Sequence, residues 1–96
     1  MSPKKHSKLN KLRKDLDKLD NSLIKLIKKR TNIINKVIKY KNFKNQIVDK
    51  KRINKILKKI RKKSIENNID PKITHRIWKN MIWSYIDYER RNFKKK

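Results

Sequence analysis

Residues 9–41 read LNKLRKDLDKLDNSLIKLIKKRTNIINKVIKYK, and the spacing of their apolar side chains decides the fold. The apolar residues recur at steps of three and four, with one step of seven where the stripe passes through Arg30, and this spacing is typical of one face of an α-helix; they are Leu9, Leu12, Leu16, Leu19, Leu23, Leu26, Ile33 and Val37. No Gly or Pro lies between Ser7 and Ile47, so no residue there would stop the helix early. We predict one long amphipathic helix that Ser7 caps and that ends near Asn42 or Phe43.

A helix of this length exceeds the diameter of a compact domain of 96 residues. At ~1.5 Å per residue, about 35 residues form a rod of roughly 50 Å, whereas a domain of this size is about 30 Å across. The rest of the chain is too short to bury the whole apolar stripe. We therefore expect a second copy of the chain to cover it.

Two shorter helices are predicted after the long one. Asp49 is suited to cap the second helix, because its carboxylate can accept from free first-turn N–H groups. Asp70 directly before Pro71 marks the start of the third helix, since Pro is favoured at the first helical position. Each helix carries an apolar stripe, with Ile53, Ile56, Leu57 and Ile60 on the second and Ile73, Ile77, Trp78, Met81, Ile82, Tyr85 and Ile86 on the third. The fold class is all-α, with three helices and with short disordered basic tails at residues 1–6 and 94–96.

The composition limits the class of protein. We expect one domain, residues 1–96, because the chain is short. The absence of Cys excludes a disulfide framework, a thiol nucleophile and a zinc–thiolate site. The first residues form no apolar signal segment, and no run approaches the ~18 apolar residues of a membrane span. We therefore expect a cytoplasmic protein that does not enter the membrane.

A formal net charge of +24 usually indicates a nucleic-acid partner or an anionic membrane surface. We give it less weight because Lys, Ile and Asn make up over half of the chain, while Gly and Ala are absent, which is the bias of AT-rich codons. The lysines are also spread over all segments. We expect no nucleic-acid partner, and a non-catalytic basic module that binds nucleic acid stays as an alternative.

Charged residues interrupt the apolar faces or lie at their ends. An unpaired buried cation costs several kcal/mol, so a cation on a core face needs an explanation. Such side chains either lay their stems on the core with their heads in water, or they line a cavity for an anionic ligand. Several cations with one or two carboxylates suit a small dicarboxylate; the set is Arg13, Arg30, Lys41, Asp49, Arg52 and Glu89.

The spacing of this set resembles the all-helical (AroQ-type) chorismate mutase family. Residues 12–20, LRKDLDKLD, resemble the family's opening L-R-x-x-[IL]-x-x-[IL]-D, and Arg30 stands at the place of its second arginine. Residues 38–41 are similar to its G-x-x-K stretch, with Ile for the usual Gly, and residues 49–52 are similar to the D-x-x-R that opens its second helix. Residues 69–89 resemble its final helix, which has Gln or Glu at the position of the last residue.

This resemblance covers residues 9–91 and implies an intertwined helical homodimer. The long helices of the two chains would pair, and Arg13 would reach into the partner's site. The implied reaction is the rearrangement of chorismate to prephenate in aromatic amino-acid biosynthesis. It needs no nucleophile, metal or cofactor, because catalysis consists of selecting the compact reactive conformer and stabilising the charge that develops.

The resemblance also implies the roles of the charged residues. Arg13 and Arg30 would hold the two carboxylates of the substrate and Arg52 would support them, since the guanidinium group suits bidentate binding of carboxylates. Lys41 and Glu89 would flank the ether oxygen of the breaking bond. Arg30, Lys41 and Glu89 are thus the candidate catalytic residues.

Ile53 departs from the mutase pattern. After the arginine of D-x-x-R the mutases usually have a Glu that binds the ring hydroxyl of the substrate. An aliphatic residue resembles the isochorismate-pyruvate lyases of the same fold, which form salicylate, and residues 83–86 are similar to the aromatic stretch of those lyases. Ile53 and Tyr85 therefore join the charged residues as candidates for binding the substrate. The candidate substrate-binding residues are Arg13, Arg30, Asp49, Arg52, Ile53 and Tyr85. Lyase activity and a neutral core substitution at Ile53, compensated by water or Tyr85, are the open alternatives.

The remaining polar and aromatic residues have simpler interpretations. Neither His6 nor His75 has a Cys or a clustered carboxylate as a partner, so we expect no metal site. Trp78 lies at core spacing on the third helix, and Trp83 is predicted to be partly exposed.

Overall fold

A computed structural model describes residues 3–94 of the chain. It contains three α-helices, α1 (Pro3–Tyr40), α2 (Lys50–Glu66) and α3 (Pro71–Asn92), with a 3-10 turn at Lys44–Gln46 between the first two. No strand occurs among the described residues. The predicted all-α fold, with one long and two shorter helices, is confirmed.

The ends of α1 differ from the prediction. The helix begins at Pro3 instead of after Ser7, so residues 3–6 are its first turn and not part of a disordered tail. Proline is well suited to this position, because its missing N–H would have no helical partner there. Residues 1, 2, 95 and 96, which belong to the two predicted tails, lie outside the described residues. At the other end, α1 stops at Tyr40, two to three residues before the predicted end.

The early end of α1 has a local cause. The side-chain oxygen of Gln46 accepts hydrogen bonds from the backbone N–H groups of Asn42, at 2.7 Å, and Phe43, at 2.9 Å. In a longer helix these two N–H groups would donate to backbone carbonyls four residues earlier. The chain therefore leaves the helix and enters the 3-10 turn.

The chain divides into two units, residues 1–33 and 34–96. The first unit is helical throughout its described part. Along its apolar stripe, more than half of each leucine side chain is exposed at Leu12, Leu16, Leu19, Leu23 and Leu26. A contiguous apolar surface of this kind marks an interaction site in soluble proteins.

The second unit has a small core between α2 and α3. Ile47, Ile82 and Ile86 are buried, and the half-buried side chains that pack against them are Val48, Ile53, Ile56, Leu57 and Phe93. Full burial of an isoleucine side chain stabilises the fold by roughly 1.5–3 kcal/mol, and half-burial contributes less. This core fixes α3 on α2 and so determines which face of α3 points inward.

Two aspartates cap the shorter helices as predicted. The Asp49 carboxylate accepts from the Arg52 N–H at 3.0 Å. Asp70 accepts from the Lys72 N–H at 2.9 Å, and Pro71 is the first residue of α3. Both caps satisfy a first-turn donor that has no helical partner. Among the described residues, none of the helices combines the length and the apolar character needed to cross a membrane.

The connection between α2 and α3 is tight. Asn68 adopts a positive φ of 57°, a conformation that Asn tolerates better than most residues. The buried Ser64 hydroxyl donates to the Ile60 carbonyl and lies 2.6 Å from the Thr74 hydroxyl. This polar contact ties the end of α2 to the first turns of α3, and so contributes to the register of α3.

Candidate active site

Lys41 and Glu89 form an ion pair within residues 34–96. The Lys41 Nζ donates to the Glu89 Oε1 at 2.9 Å. The Glu89 side chain is 6% exposed and that of Lys41 22%. A carboxylate taken out of water needs a charged or hydrogen-bonding partner, and Lys41 provides it. The structure thus brings together two of the three candidate catalytic residues.

The burial of Glu89 follows from its place on α3. Ile82, Ile86 and Glu89 are the buried residues of this helix, and their steps of four and three put them on one face. The apolar stripe predicted from the sequence therefore ends in a carboxylate. A residue that only served packing would be apolar at this place.

The backbone on both sides of Lys41 is fixed. The Lys41 N–H donates to the Ile38 carbonyl at 3.2 Å, an i→i−3 bond of the 3-10 type that tightens the end of α1. Directly after it, the N–H groups of Asn42 and Phe43 both donate to the Gln46 side chain. Gln46 was not singled out in the sequence, because a capping glutamine in a short connection has no distinguishing spacing. Its effect is to hold the ammonium-bearing residue at the end of the helix.

Asp49 and Arg52 meet at the start of α2. The Asp49 carboxylate is engaged with the backbone N–H of Arg52, which makes Asp49 the N-cap of the helix. The Arg52 side chain is exposed in the first turn. The N-terminal end of a helix favours anions, so this guanidinium lies where a carboxylate would be attracted.

Tyr85 lies one turn before Glu89 and is half-buried. Its ring meets the ring of Tyr88 edge to face, with the centroids 6.4 Å apart and the planes at 88°. The Tyr88 hydroxyl donates to the Asn35 Oδ1 at 2.7 Å. Neither Tyr88 nor Asn35 was predicted from the sequence as a site residue. Nothing in the spacing of a single asparagine distinguishes it from the other asparagines of the chain.

Ile53 packs against the buried cluster of Ile47, Ile82 and Ile86. It also borders an open groove of about 350 Å³ on the surface of α2 and α3, lined by Lys50, Ile53, Asn54, Leu57, His75, Lys79 and Trp83. The contacts of Ile53 support its interpretation as a core substitution. A role in substrate binding stays a prediction.

Arg13 and Arg30 belong to the other unit of the chain. Arg13 is exposed on α1 and Arg30 is half-buried. Their approach to a substrate, in the same chain or in a partner, stays a prediction.

The chemistry open to this site is hydrogen bonding and charge stabilisation. An ammonium group donates up to three hydrogen bonds, so Lys41 can serve Glu89 and a ligand oxygen together. Glu89 accepts when ionised and also donates when protonated. Among residues 3–94, no three His, Asp or Glu side chains gather into a group that could hold a metal ion.

The fold and the site define an all-helical protein with a lysine–glutamate pair at the end of its long helix. A family model described as chorismate mutase type II matches residues 12–90. The chain therefore belongs to this family, the AroQ-type chorismate mutases. The matched range includes every candidate site residue from Arg13 to Glu89. No curated protein and no solved structure matched the chain in the corresponding comparisons.

Proposed function

We propose that this protein is a chorismate mutase that rearranges chorismate to prephenate in aromatic amino-acid biosynthesis. The observation that carries the proposal is the Lys41–Glu89 pair, at 2.9 Å, inside the range matched by the family model. In the reaction a C–O bond of the substrate breaks while a C–C bond forms within the same molecule. The enzyme has to hold the reactive conformer and stabilise the oxygen as it gains negative charge.

Lys41 and Glu89 act on the ether oxygen in this proposal. The Lys41 ammonium donates to the oxygen as its bond to carbon lengthens, and this interaction is stronger in the transition state than in the substrate. Glu89 orients the ammonium through their hydrogen bond. A protonated Glu89 also donates to the same oxygen.

Three arginines bind the two carboxylates of chorismate. Arg30 of one chain and Arg13 of the partner subunit form bidentate contacts, and Arg52 supports them. The exposure of Arg52 in the first turn of α2 and the half-burial of Arg30 are consistent with these roles. Holding both carboxylates brings the reacting carbons together and so reduces the entropy cost of the compact conformer.

A homodimer is part of the proposal. The leucines on either side of Arg13 are more than half exposed, Leu12 at 60% and Leu16 at 59%. A second copy of the same stripe is the simplest partner for it, because symmetric homodimers bury the same surface of both chains. Such pairing would carry Arg13 into the partner's site.

Isochorismate-pyruvate lyase is the second candidate function. The observation that favours it is Ile53, an aliphatic residue that packs on the core where mutases usually have a hydroxyl-binding Glu. The lyase reaction would use the same cationic site on a substrate whose hydroxyl lies elsewhere on the ring. Salicylate and pyruvate would be the products.

One assay separates these functions. Purified protein is given chorismate and isochorismate separately, and prephenate, salicylate and pyruvate are followed over time. We expect prephenate from chorismate. Formation of salicylate and pyruvate from isochorismate, with no prephenate from chorismate, would contradict the mutase proposal and identify the protein as a lyase. Turnover of neither substrate, together with steeply salt-dependent binding of DNA or RNA, would favour the nucleic-acid module instead.

A further inference from the structure

We propose that Tyr88 and Asn35 are positioning residues that fix the position of the Glu89 carboxylate relative to the Lys41 ammonium. The Tyr88 hydroxyl donates to the Asn35 Oδ1 at 2.7 Å. Tyr88 directly precedes Glu89 on α3, and Asn35 lies six residues before Lys41. The catalytic consequence of this pair rests on the proposed mutase function, whereas its effect on the geometry does not.

Two side-chain bonds therefore join the same two segments. Lys41–Glu89 joins the residue after α1 to the last part of α3 at 2.9 Å. Tyr88–Asn35 joins α3 to the last turns of α1. The four residues lie in one unit of the chain, residues 34–96. Two bonds between two segments fix their rotation and their register, which one bond alone does not.

The chemistry of Lys41 makes a second bond useful. A lysine side chain has four rotatable bonds, and its ammonium donates in any direction. The Lys41–Glu89 bond therefore survives small shifts of α3 while the direction of the ammonium changes. The phenol ring of Tyr88 is rigid by comparison, since it has only two side-chain torsions, and its hydroxyl meets Asn35 at one place.

Tyr85 connects Tyr88 with the face of α3 that carries Glu89. Its ring packs edge to face on Tyr88, with the centroids at 6.4 Å, a favourable geometry for two aromatic rings. Tyr85 and Glu89 are four residues apart and lie on the same side of α3. Tyr88 thus contacts Asn35 on α1 and Tyr85, which lies one turn before Glu89 on α3.

A purely structural role would have a different signature. Tyr88 and Asn35 meet at the surface, where one neutral hydrogen bond adds little to stability. Removing this hydrogen bond should leave the fold intact but should displace the Glu89 carboxylate relative to Lys41. A role in positioning therefore predicts a fall in kcat without a matching fall in melting temperature.

The test uses Tyr88→Phe, which removes the hydroxyl and keeps the ring. We expect kcat for chorismate to fall ~10-fold while KM stays within about twofold, since small misplacements of reacting groups are costly. Asn35→Leu should reproduce this loss, and the double variant should be no worse than either single one. Asn35→Asp keeps an acceptor for the hydroxyl and should retain most of the activity. Tyr40→Phe is the matched control, because Tyr40 is 86% exposed.

A crystal structure of Tyr88→Phe provides a readout that needs no activity. We expect the bond between the Lys41 Nζ and the Glu89 Oε1 to persist but to change direction, with the Glu89 carboxylate displaced by about 1 Å relative to α1. If wild-type protein turned over neither substrate, the proposed function would fail while this displacement still decided the positioning role. An unchanged position of the Glu89 carboxylate in Tyr88→Phe, or a fall of kcat and melting temperature together, would overturn the inference.

Discussion

Glu89 is a charged residue at a buried position of α3. Its carboxylate ends the apolar face of α3 and bonds to Lys41 at 2.9 Å, and the side chain is 6% exposed. An aliphatic residue at this place would stabilise the core without needing a partner. Retaining a carboxylate here is therefore better explained by chemistry than by packing.

Glu89→Gln tests whether this residue donates to the substrate. An ionised carboxylate only accepts hydrogen bonds, whereas the amide of glutamine donates at every pH. We expect Glu89→Gln to retain mutase activity, because its amide still donates to the ether oxygen, and Glu89→Ala to lose it. The measurement is kcat of both variants and of wild-type protein at one pH. Loss of activity in Glu89→Gln would leave Glu89 only the role of neutralising Lys41.

Arg30→Ala tests the carboxylate clamp. We expect turnover to fall about 100-fold or more, because one substrate carboxylate is no longer held in the reactive conformer. The far-UV helical signal should be almost unchanged, because the substitution keeps a good helix former in α1. Arg61→Ala, at an exposed position of α2, is the matched control and should be close to wild type. Retained activity in Arg30→Ala would remove this arginine from the site.

Ile53→Glu distinguishes a degenerate mutase from a lyase. The new carboxylate restores the usual hydroxyl ligand and should raise kcat/KM for chorismate if the protein is a mutase. The structure adds a cost, because Ile53 packs on the buried cluster of α2 and α3. We expect a loss of about 1–3 kcal/mol of stability from the polar group, so activity has to be compared below the melting transition. Ile53→Gln controls for the lost packing, and equal rates for both variants would favour the lyase.

At the scale of helices, local signals predicted the elements well. The period of the apolar residues identified all three helices, and the carboxylates of Asp49 and Asp70 cap α2 and α3 as expected. These features depend on neighbours within one or two turns, which a sequence displays directly. The start of α1 was missed because Ser7 was a plausible cap, although Pro3 begins the helix.

Contacts between distant residues were harder to predict. The resemblance predicted Lys41 and Glu89 on either side of the substrate's ether oxygen, and in the structure their side chains lie at hydrogen-bond distance from each other. Tyr88 and Asn35 stand 53 positions apart and follow no pattern that periodicity detects. Their meeting depends on how α3 packs, which is a property of the folded unit and not of either segment.

Asp70→Ala tests the cap of α3 separately from function. The variant loses the bond to the Lys72 N–H, which should lower the free energy of unfolding by about 1 kcal/mol. We expect a lower melting temperature and an unchanged kcat. Asp17→Ala, at an exposed position inside α1, is the control and should melt like wild type. A loss of kcat in Asp70→Ala at a temperature where the protein is folded would show that the cap also orients the site.

At the scale of the whole molecule, the exposed leucines of α1 are the main unexplained surface of the single chain. Leu19 is 61% and Leu26 58% exposed, which a stable soluble chain rarely tolerates in a contiguous stripe. We expect a dimer by light scattering at micromolar concentration. Leu16→Lys with Leu23→Lys places charges on the stripe and should produce a monomer without activity. A well-folded, active monomer of the wild-type chain would contradict the dimer and the shared site together.

Mixing two inactive variants tests whether the two chains share the site. In the proposed dimer, each site combines Glu89 of one chain with Arg13 of the partner subunit. Arg13→Ala and Glu89→Ala should each be inactive alone, but a heterodimer of the two contains one site with both residues intact. Random exchange of chains makes half of the dimers mixed, so activity should recover to about a quarter of the wild-type value. No recovery after exchange, confirmed by mass spectrometry of the mixed dimer, would mean that Arg13 does not act in the partner's site.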